Sequence, residues 1–384
     1  MKADYINIVN IGGIKSLSIK FNDRINLICG MNGVGKSTIL ECIVHSFGYV
    51  YSNKIKRNQR SLIGEWVLSV DDQEITFKTK SFQPFETLID FQAAFIEKVL
   101  KIIYVKDQRF IEYTPNEGIR KDEERTKEQH QHQVILGIRP ETIKTWFSNR
   151  VLFEPHGNLS DAEIENISIA KKIFSLLDDS VEYEKIDHAS LDLIISTSRG
   201  SIHFEYLSSG FKSAFFVLLG IIKEIEFNSN PKIRVSEFDG IILIDEADAH
   251  LHPQWQGPFF KALKEIFISA QIIITTHSPH MIQVADSEEL IVLGFDGQGE
   301  VKQLDTIKSE YGFKGWTVEE ILEDVMGLTE TRSDDYLNIK NKFEDALNSE
   351  DKELATELYI VIEKMLHPRS HMRKVYQLQL GSLG

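Results

Sequence analysis

The sequence predicts an α/β fold with a helical insert and a C-terminal helical segment. Three observations predict it. Gly30-Met31-Asn32-Gly33-Val34-Gly35-Lys36-Ser37-Thr38 satisfies Gly-x-x-x-x-Gly-Lys-Ser/Thr, between an apolar run at 24–29 and apolar residues at helical spacing over 37–47. Strand, Gly-rich loop and helix N-terminus are the three parts that a phosphate cradle requires. Two further apolar runs end in polar side chains, 239–244 in Asp245 and Glu246, and 271–276 in His277. At the carboxyl ends of parallel strands such side chains face a ligand. Finally, 139–178 and much of the chain after 305 carry apolar residues at helical spacing.

Taken in order, residues 3–29 alternate apolar and polar side chains around Gly12 and Gly13, the chemistry of a hairpin that feeds the loop strand. Behind the loop helix, Lys54, Lys56, Arg57 and Arg60 form a basic cluster. It reads as a solvated loop, with phosphates, DNA or an acidic partner as the functional alternative. Two strands are expected over 65–80 around Asp71-Asp72, a helix over 87–101, and a buried strand over 101–110 with Gln108 close behind it. The charged stretch 114–133 reads as a surface loop. Pro140 suits a first helical turn, and Ser160 with Glu163 fits a capping box. Strands return near 181–187, 191–196 and 201–206. Later, Thr317 with Glu320 opens a helix, followed by amphipathic segments at 334–347 and 351–366 and a basic stretch at 369–374. The expected division is 1–110 and 181–304 for the two halves of the nucleotide-binding domain, 111–180 for the insert, and 305–384 for a partner-binding helical segment.

Composition sets limits. With 384 residues, 42% of them hydrophobic, the chain can bury a large core. A net charge of −15 disfavours indiscriminate nucleic-acid binding over the whole surface, though not a local basic patch. The two cysteines, Cys29 and Cys42, read as small buried side chains rather than a disulfide or zinc framework. There is no leader-like apolar segment and no apolar run of about 18 residues, so a soluble cytoplasmic protein with no membrane partner is expected.

The residue types assign chemistry. Glycines let the backbone wrap an anion so that amides around Asn32, Gly33, Gly35 and Thr38 face phosphate oxygens. Lys36 reaches the β- and γ-phosphates of ATP, and Ser37 holds Mg²⁺. Asp245 supports the metal, Glu246 polarises the attacking water, and His277 points at the γ-phosphate. Gln108 stands where an ATPase places a metal- or water-contacting group. The pair His250 and His252 has poor spacing for a metal. Leu207-Ser208-Ser209-Gly210-Phe211-Lys212 alone is a helix start with a capping serine.

Together and in this order, these motifs resemble the ABC-class ATPases, within them the SMC-, RecF- and OLD-like group. The resemblance identifies Gly30 to Thr38 as Walker A, Leu207 to Lys212 as the signature, Ile241 to Glu246 as Walker B, Asp248 to Pro253 as the D-loop region and His277 as the switch histidine. Phe211 stands where the signature usually has Gln or Glu, which removes one polar contact. The resemblance implies that Ser208, Ser209, Gly210 and Lys212 complete the site in trans, so that a homodimer or a higher even-numbered oligomer is needed. Gly315 to Leu328 resembles the C-terminal part of stand-alone ATPases from bacterial antiphage systems, those of the Septu type among them. Such ATPases act as sensors beside a separate nuclease effector, often of HNH type. The chain shows no Asp-x-Asp at a strand end of the kind an OLD-like nuclease domain carries, so no nuclease is expected within it. A RecF-like clamp on DNA is the alternative, with 54–60 and the insert lining the path. A transporter ATPase is disfavoured by the length of chain between Lys36 and Ser208.

Overall fold

In the computed structural model the described residues are all except 49, 53, 87, 91–94, 108–117, 119–120, 123, 306–309, 329 and 384, with backbone alone at 50–52, 88–90 and 141. Gln108 therefore lies outside the described residues. The hairpin β1 (Ala3–Ile11) and β2 (Ile14–Lys20) leads into β3 (Ile25–Gly30), the phosphate loop and α1 (Lys36–His45). β4 (Val50–Ser52) pairs with β7 (Leu88–Asp90), and β5 (Gly64–Val70) turns at Asp71-Asp72 into β6 (Gln73–Thr79). Both turn residues have positive φ, as a tight two-residue hairpin demands. An antiparallel sheet results with order β2-β1-β5-β6.

The second sheet carries the site. β8 (Ile102–Val105), β12 (Ile241–Ile244), β13 (Gln271–Thr275), β14 (Leu290–Phe295) and β15 (Val301–Leu304) join β3 in the order β15-β14-β3-β13-β12-β8, with only β15 antiparallel. Its strands are continuous apolar runs because both faces are covered. Ile242, Ile244, Ile272 and Ile274 enter one core cluster. Ile241, Leu243 and Ile273 enter the other, beneath α1 and the first sheet. The side-chain period of two thus splits the sheet between two cores. Buried Gln271 fastens the sheets together: its amide accepts from Ala3 N (2.7 Å) and donates to Ala3 O and Asn22 O (2.8 Å each).

α2 (Lys127–Leu136) sends Val134 into the core beneath α1, and the first core is roofed by α3 (Glu141–Phe153), α4 (Asp161–Leu177), α5 (Ser209–Asn228), α6 (Pro253–Ile266) and α7 (Pro279–Val284), with β9 (Val181–Ile186), β10 (Leu193–Thr197) and β11 (Gly200–His203) forming a small antiparallel sheet beside them. Trp146, Phe147, Ile167 and Phe174 of α3 and α4 share one cluster with Leu27 and Ile274 of the main sheet. Buried Glu226 ties three helices, accepting from Trp146 Nε1 (2.9 Å), Arg150 Nε (2.9 Å) and Asn166 Nδ2 (3.2 Å). The Ser160–Glu163 capping box forms as expected.

Three local expectations differ. The helix expected over 87–101 is β7 and a 3₁₀ turn, Ile96–Lys101. Phe95, Ile96 and Val99 go into the core, and the chain must become extended at once to enter β8. The loop expected over 114–133 contains the start of α2, which opens on a Thr126–Gln129 capping box and buries Val134. The helix expected from Thr317 is one α turn, α8 (Val318–Glu320), that widens into a π-helix at Ile321–Val325.

Met1–Gly327 and Leu328–Gly384 are two compact units. The chain after 305 is therefore divided: Phe313, Ile321, Val325 and Met326 belong to the first unit's core. The second unit is α9 (Asp334–Asn348), α10 (Lys352–Met365) and α11 (Met372–Gly381). They pack around Phe343, Ile362 and Tyr376, with the Tyr336 and Tyr376 hydroxyls 2.9 Å apart.

Candidate nucleotide-binding site

The phosphate loop is shaped by three glycines with positive φ, Gly30 (130°), Gly33 (80°) and Gly35 (88°). At Gly30 a Cβ would lie 1.9 Å from Leu293 O of the neighbouring strand, so no other residue fits. α1 begins at Lys36. Lys36 Nζ is drawn into the loop, donating to Gly30 O (3.0 Å) and Met31 O (2.9 Å). Burial lowers its pKa, against the opposing fields of Cys29, Asp248, Glu246 and Asp245.

Sheet order brings the other groups to this loop. β13 lies between β3 and β12, so Thr275 stands between the phosphate loop and Asp245. Its hydroxyl donates to Asp245 Oδ1 (2.6 Å) and accepts from Glu246 N (2.7 Å). Ser37 Oγ donates to the same Asp245 oxygen (3.0 Å). One turn further, Asp248 Oδ1 accepts from Thr276 Oγ1 (2.5 Å) and His277 N (2.9 Å). Thr275, Thr276 and the bracing role of Asp248 escape the sequence reading, although a hydroxyl pair immediately before His277 is the signal that marks them.

The electrostatics suit a cationic ligand. Burial raises the pKa of Asp245 despite its hydrogen bonds from Thr275 and Ser37. Glu246, which has positive φ (46°) and is exposed, is raised by residual burial and by the fields of Asp245, Asp107 and Asp248. Asp107, just past β8, is a further carboxylate at this edge that the sequence did not single out. Burial and the charge of Lys36 lower the pKa of His277, which favours a neutral imidazole at pH 7. The hydroxyl of Ser37 and the carboxylate of Asp245 are hard oxygen donors, and fit Mg²⁺ bound together with a phosphate.

The signature residues stand on α5. Ser208 caps the helix, its Oγ accepting from Phe211 N (3.2 Å). Ser208 and Ser209 are exposed, while Gly210 is buried against the D-loop region, where a Cβ would meet His250 O at 2.6 Å. Lys212 Nζ donates to Glu205 O (3.0 Å) in its own chain. Phe211 is explained by packing: its ring lies 6.3 Å from Phe174 and edge-on to Trp255 at 5.7 Å. His252 Nδ1 accepts from Gln254 N (3.3 Å) as the cap of α6.

The basic cluster is largely used internally. Lys54 Nζ donates to Glu41 (2.9 Å), Lys56 Nζ to Ser81 Oγ (2.9 Å), and Arg57 to the carbonyls of Lys80, Asn58 and Ser61. Among the described residues no helix is long and apolar enough to cross a membrane.

Comparison with known proteins bears on this geometry. An AAA domain family matches residues 5–187 and an AAA ATPase domain family residues 152–282. The Smc head, in its crystal structure bound to the C-winged helix domain of ScpA, matches with a TM-score of 0.51 at 14% identity, over 79% of this chain and 98% of that one. The fold is thus the α/β, ABC-type ATPase head fold of SMC proteins. The retron Ec83 probable ATPase of Escherichia coli is 31% identical over 143 residues, 36% of this chain and 25% of that protein. The Septu protein PtuA of Bacillus thuringiensis is 43% identical over 387 residues, 99% of this chain and 98% of that protein. With that identity along nearly the whole of both chains, this chain belongs to the PtuA family of Septu antiphage-defence proteins.

Proposed function

We propose that the chain is the ATPase subunit of a cytoplasmic antiphage defence complex, binding and hydrolysing ATP with Mg²⁺ between facing copies to sense infection and control a separate nuclease effector, of HNH type. The observation that carries the ATPase reading is the convergence of Ser37 Oγ and Thr275 Oγ1 on Asp245 Oδ1. It ties the phosphate loop, the Asp-Glu strand and the histidine strand into one site.

The roles follow from chemistry. Backbone amides around Asn32, Gly33, Gly35 and Thr38 surround the phosphates, with the positive end of α1 behind them. Lys36 exchanges its carbonyl partners for the β- and γ-phosphate oxygens. Ser37 and Asp245 hold Mg²⁺, with Gln108 as a third metal contact; the ion screens the phosphate charge when bound. Glu246 takes a proton from water as the water oxygen attacks the γ-phosphorus and the bond to the β-phosphate oxygen breaks, leaving ADP and phosphate. A raised pKa suits Glu246 for that role. His277 contacts the γ-phosphate. Ser208, Ser209, Gly210 and Lys212 reach the nucleotide held by the facing subunit, so ATP joins an even number of copies and hydrolysis releases them. The second unit leaves Leu354, Ile360, Val361, Met365 and Leu378 exposed, an apolar surface suited to the effector. The DNA-clamp alternative loses support from the internal use of 54–60 and from the Septu and retron relatives.

Light scattering and hydrolysis assays of wild type, Glu246→Gln and Lys36→Ala, with and without Mg-ATP and the co-expressed product of the neighbouring gene, test this reading. Glu246→Gln is expected to bind ATP, hydrolyse it about 10²- to 10⁴-fold more slowly and accumulate the ATP-bound oligomer with its effector. Lys36→Ala is expected to lose binding. Hydrolysis by Glu246→Gln at the wild-type rate would show the base assignment to be wrong.

A further inference from the structure

The signature begins on a short turn whose hold on the protein is unusual. β11 ends at His203, the 3₁₀ turn Phe204–Tyr206 follows, and Leu207 leads to the capping Ser208. Phe204 anchors the turn inward, its ring 5.0 Å from Phe215 and 5.7 Å from Phe216. Tyr206 points outward, 76% exposed. Between them Glu205 turns back toward α3, where Lys144 Nζ lies 2.6 Å from its Oε1 and also contacts Asp192 Oδ1, at the mouth of β10. The opposite side of the same residue is engaged by the signature itself, because Glu205 O accepts from Lys212 Nζ (3.0 Å).

This cluster has the outline of a metal site. Ligand atoms of Asp192, His203 and Glu205 all lie within 4.8 Å of one another. The cation there is the chain's own: Lys144 is about 10% exposed and bridges both carboxylates. Burial opposes its charge, but the hydrogen bonds and fields of Asp192 and Glu205 outweigh that and raise its pKa. An ammonium so held is a fixed strut rather than a solvated surface charge.

We infer that Lys144 is a positioning residue for the trans signature, fixing through Glu205 the turn that aims Ser208 and Ser209 at the facing subunit's nucleotide. The inference rests on the composite-site reading above. The physical reason is reach. Ser208 and Ser209 meet their target across an interface, so the turn that carries them must be rigid before that interface closes, and an error of about 1 Å there costs about a hundredfold in rate. Lys144 acts on the lobe built by α3, β10, β11 and α5. Around the phosphate loop, Ile28, Val34 and Ile39 pack in the other core, and Cys29 alone of the immediate neighbours shares the first core with this lobe. Loss of the strut therefore spares nucleotide binding within the subunit and impairs what requires two subunits.

The test compares full-length wild type, Lys144→Met, Lys144→Arg, Glu205→Gln and Ser208→Arg. Affinity for a fluorescent ATP analogue is measured on dilute protein, and kcat and ATP-driven association at high concentration. Lys144→Met is expected to keep its affinity and lose about ten- to a hundredfold in kcat, with weaker association. Lys144→Arg, which preserves the charge and both contacts, is expected to restore most of the rate. Should Lys144→Met fail to fold, Glu205→Gln gives the same readings, with a partial loss expected. Unchanged kcat in Lys144→Met or Glu205→Gln, while Ser208→Arg is inactive, overturns the inference. So does a Lys144→Arg protein as slow as Lys144→Met. If Ser208→Arg itself hydrolyses ATP normally, the composite site is what fails, and this inference falls with it.

Discussion

Two buried carboxylates flank the phosphate-loop helix and meet opposite fates. Glu41 lies on α1 one turn beyond Ser37, on the same helix face. Its Oε1 accepts from Lys54 Nζ (2.9 Å) and the Tyr104 hydroxyl (3.3 Å), and its Oε2 lies 3.1 Å from His45 Nε2. Burial alone would raise its pKa, but these partners pull it down to about 2. Asp245 is equally buried, yet the hydroxyls of Ser37 and Thr275 bring no charge, and Asp107 and Glu41 add repulsion, so its pKa goes up. Glu41 receives a hydrogen bond from an ammonium, Lys54, whereas Ser37 and Thr275 donate to Asp245 as neutral hydroxyls and burial outweighs them, which suits a site that binds a metal cation.

Removing the self-contained carboxylate should have the larger effect on stability. Glu41→Leu leaves the buried Tyr104 hydroxyl without its acceptor and His45 without the carboxylate beside it, and is expected to cost about 2 kcal/mol in urea unfolding. ATP affinity per folded molecule should change little. A cost below about 0.5 kcal/mol, within the range of ordinary surface substitutions, would mean that the Glu41 pocket contributes no more than its exposed lysine.

Asp245→Asn should act with the opposite sign and about half the size. An amide keeps the oxygen that receives Ser37 and Thr275 and removes a charge that burial disfavours. The nucleotide-free protein is expected to gain about 1 kcal/mol, while Mg-dependent hydrolysis is lost. Loss of both stability and activity in this variant would show that the charge of Asp245 stabilises the nucleotide-free fold.

The same contrast explains what was legible in the sequence. Gly30 to Ser37, Asp245 and Glu246 could be read because their chemistry depends on a local pattern: strand, loop and helix, or apolar run and carboxylate. The Ser160–Glu163 and Thr317–Glu320 boxes were legible for the same reason. What escaped depends on distant partners. Lys54, Lys56 and Arg57 look like a solvated cluster until Glu41, Ser81 and the carbonyl of Lys80 are brought to them. Phe211 looks like a damaged signature until Phe174 and Trp255 supply its packing. Thr275 becomes a site residue because strand order sets β13 between β3 and β12, and pattern within one strand does not encode order. Residues 96–101 have helical spacing, but the strand that follows leaves them room for a 3₁₀ turn alone.

The smallest expected effect is the pH dependence, and its sign separates the two pockets. Asp245 binds its proton more tightly in the folded state than in the unfolded chain, so its contribution is full below the ordinary carboxylate range and is lost as pH rises through its raised pKa. Glu41 does the reverse: its contribution is present above the ordinary range and is lost as pH falls toward about 2. As pH falls from neutral toward the ordinary carboxylate range, then, Asp245 regains its contribution before Glu41 begins to lose its own. The unfolding free energy of wild type relative to Asp245→Asn should rise as pH falls toward that range. With Mg-ATP bound the slope should vanish or reverse, because the metal favours the ionised carboxylate and draws its pKa back down. A difference that stays flat as pH falls from neutral to the ordinary carboxylate range in nucleotide-free protein would show that burial does not favour the protonated form of Asp245, and the distinction between the two carboxylates would disappear.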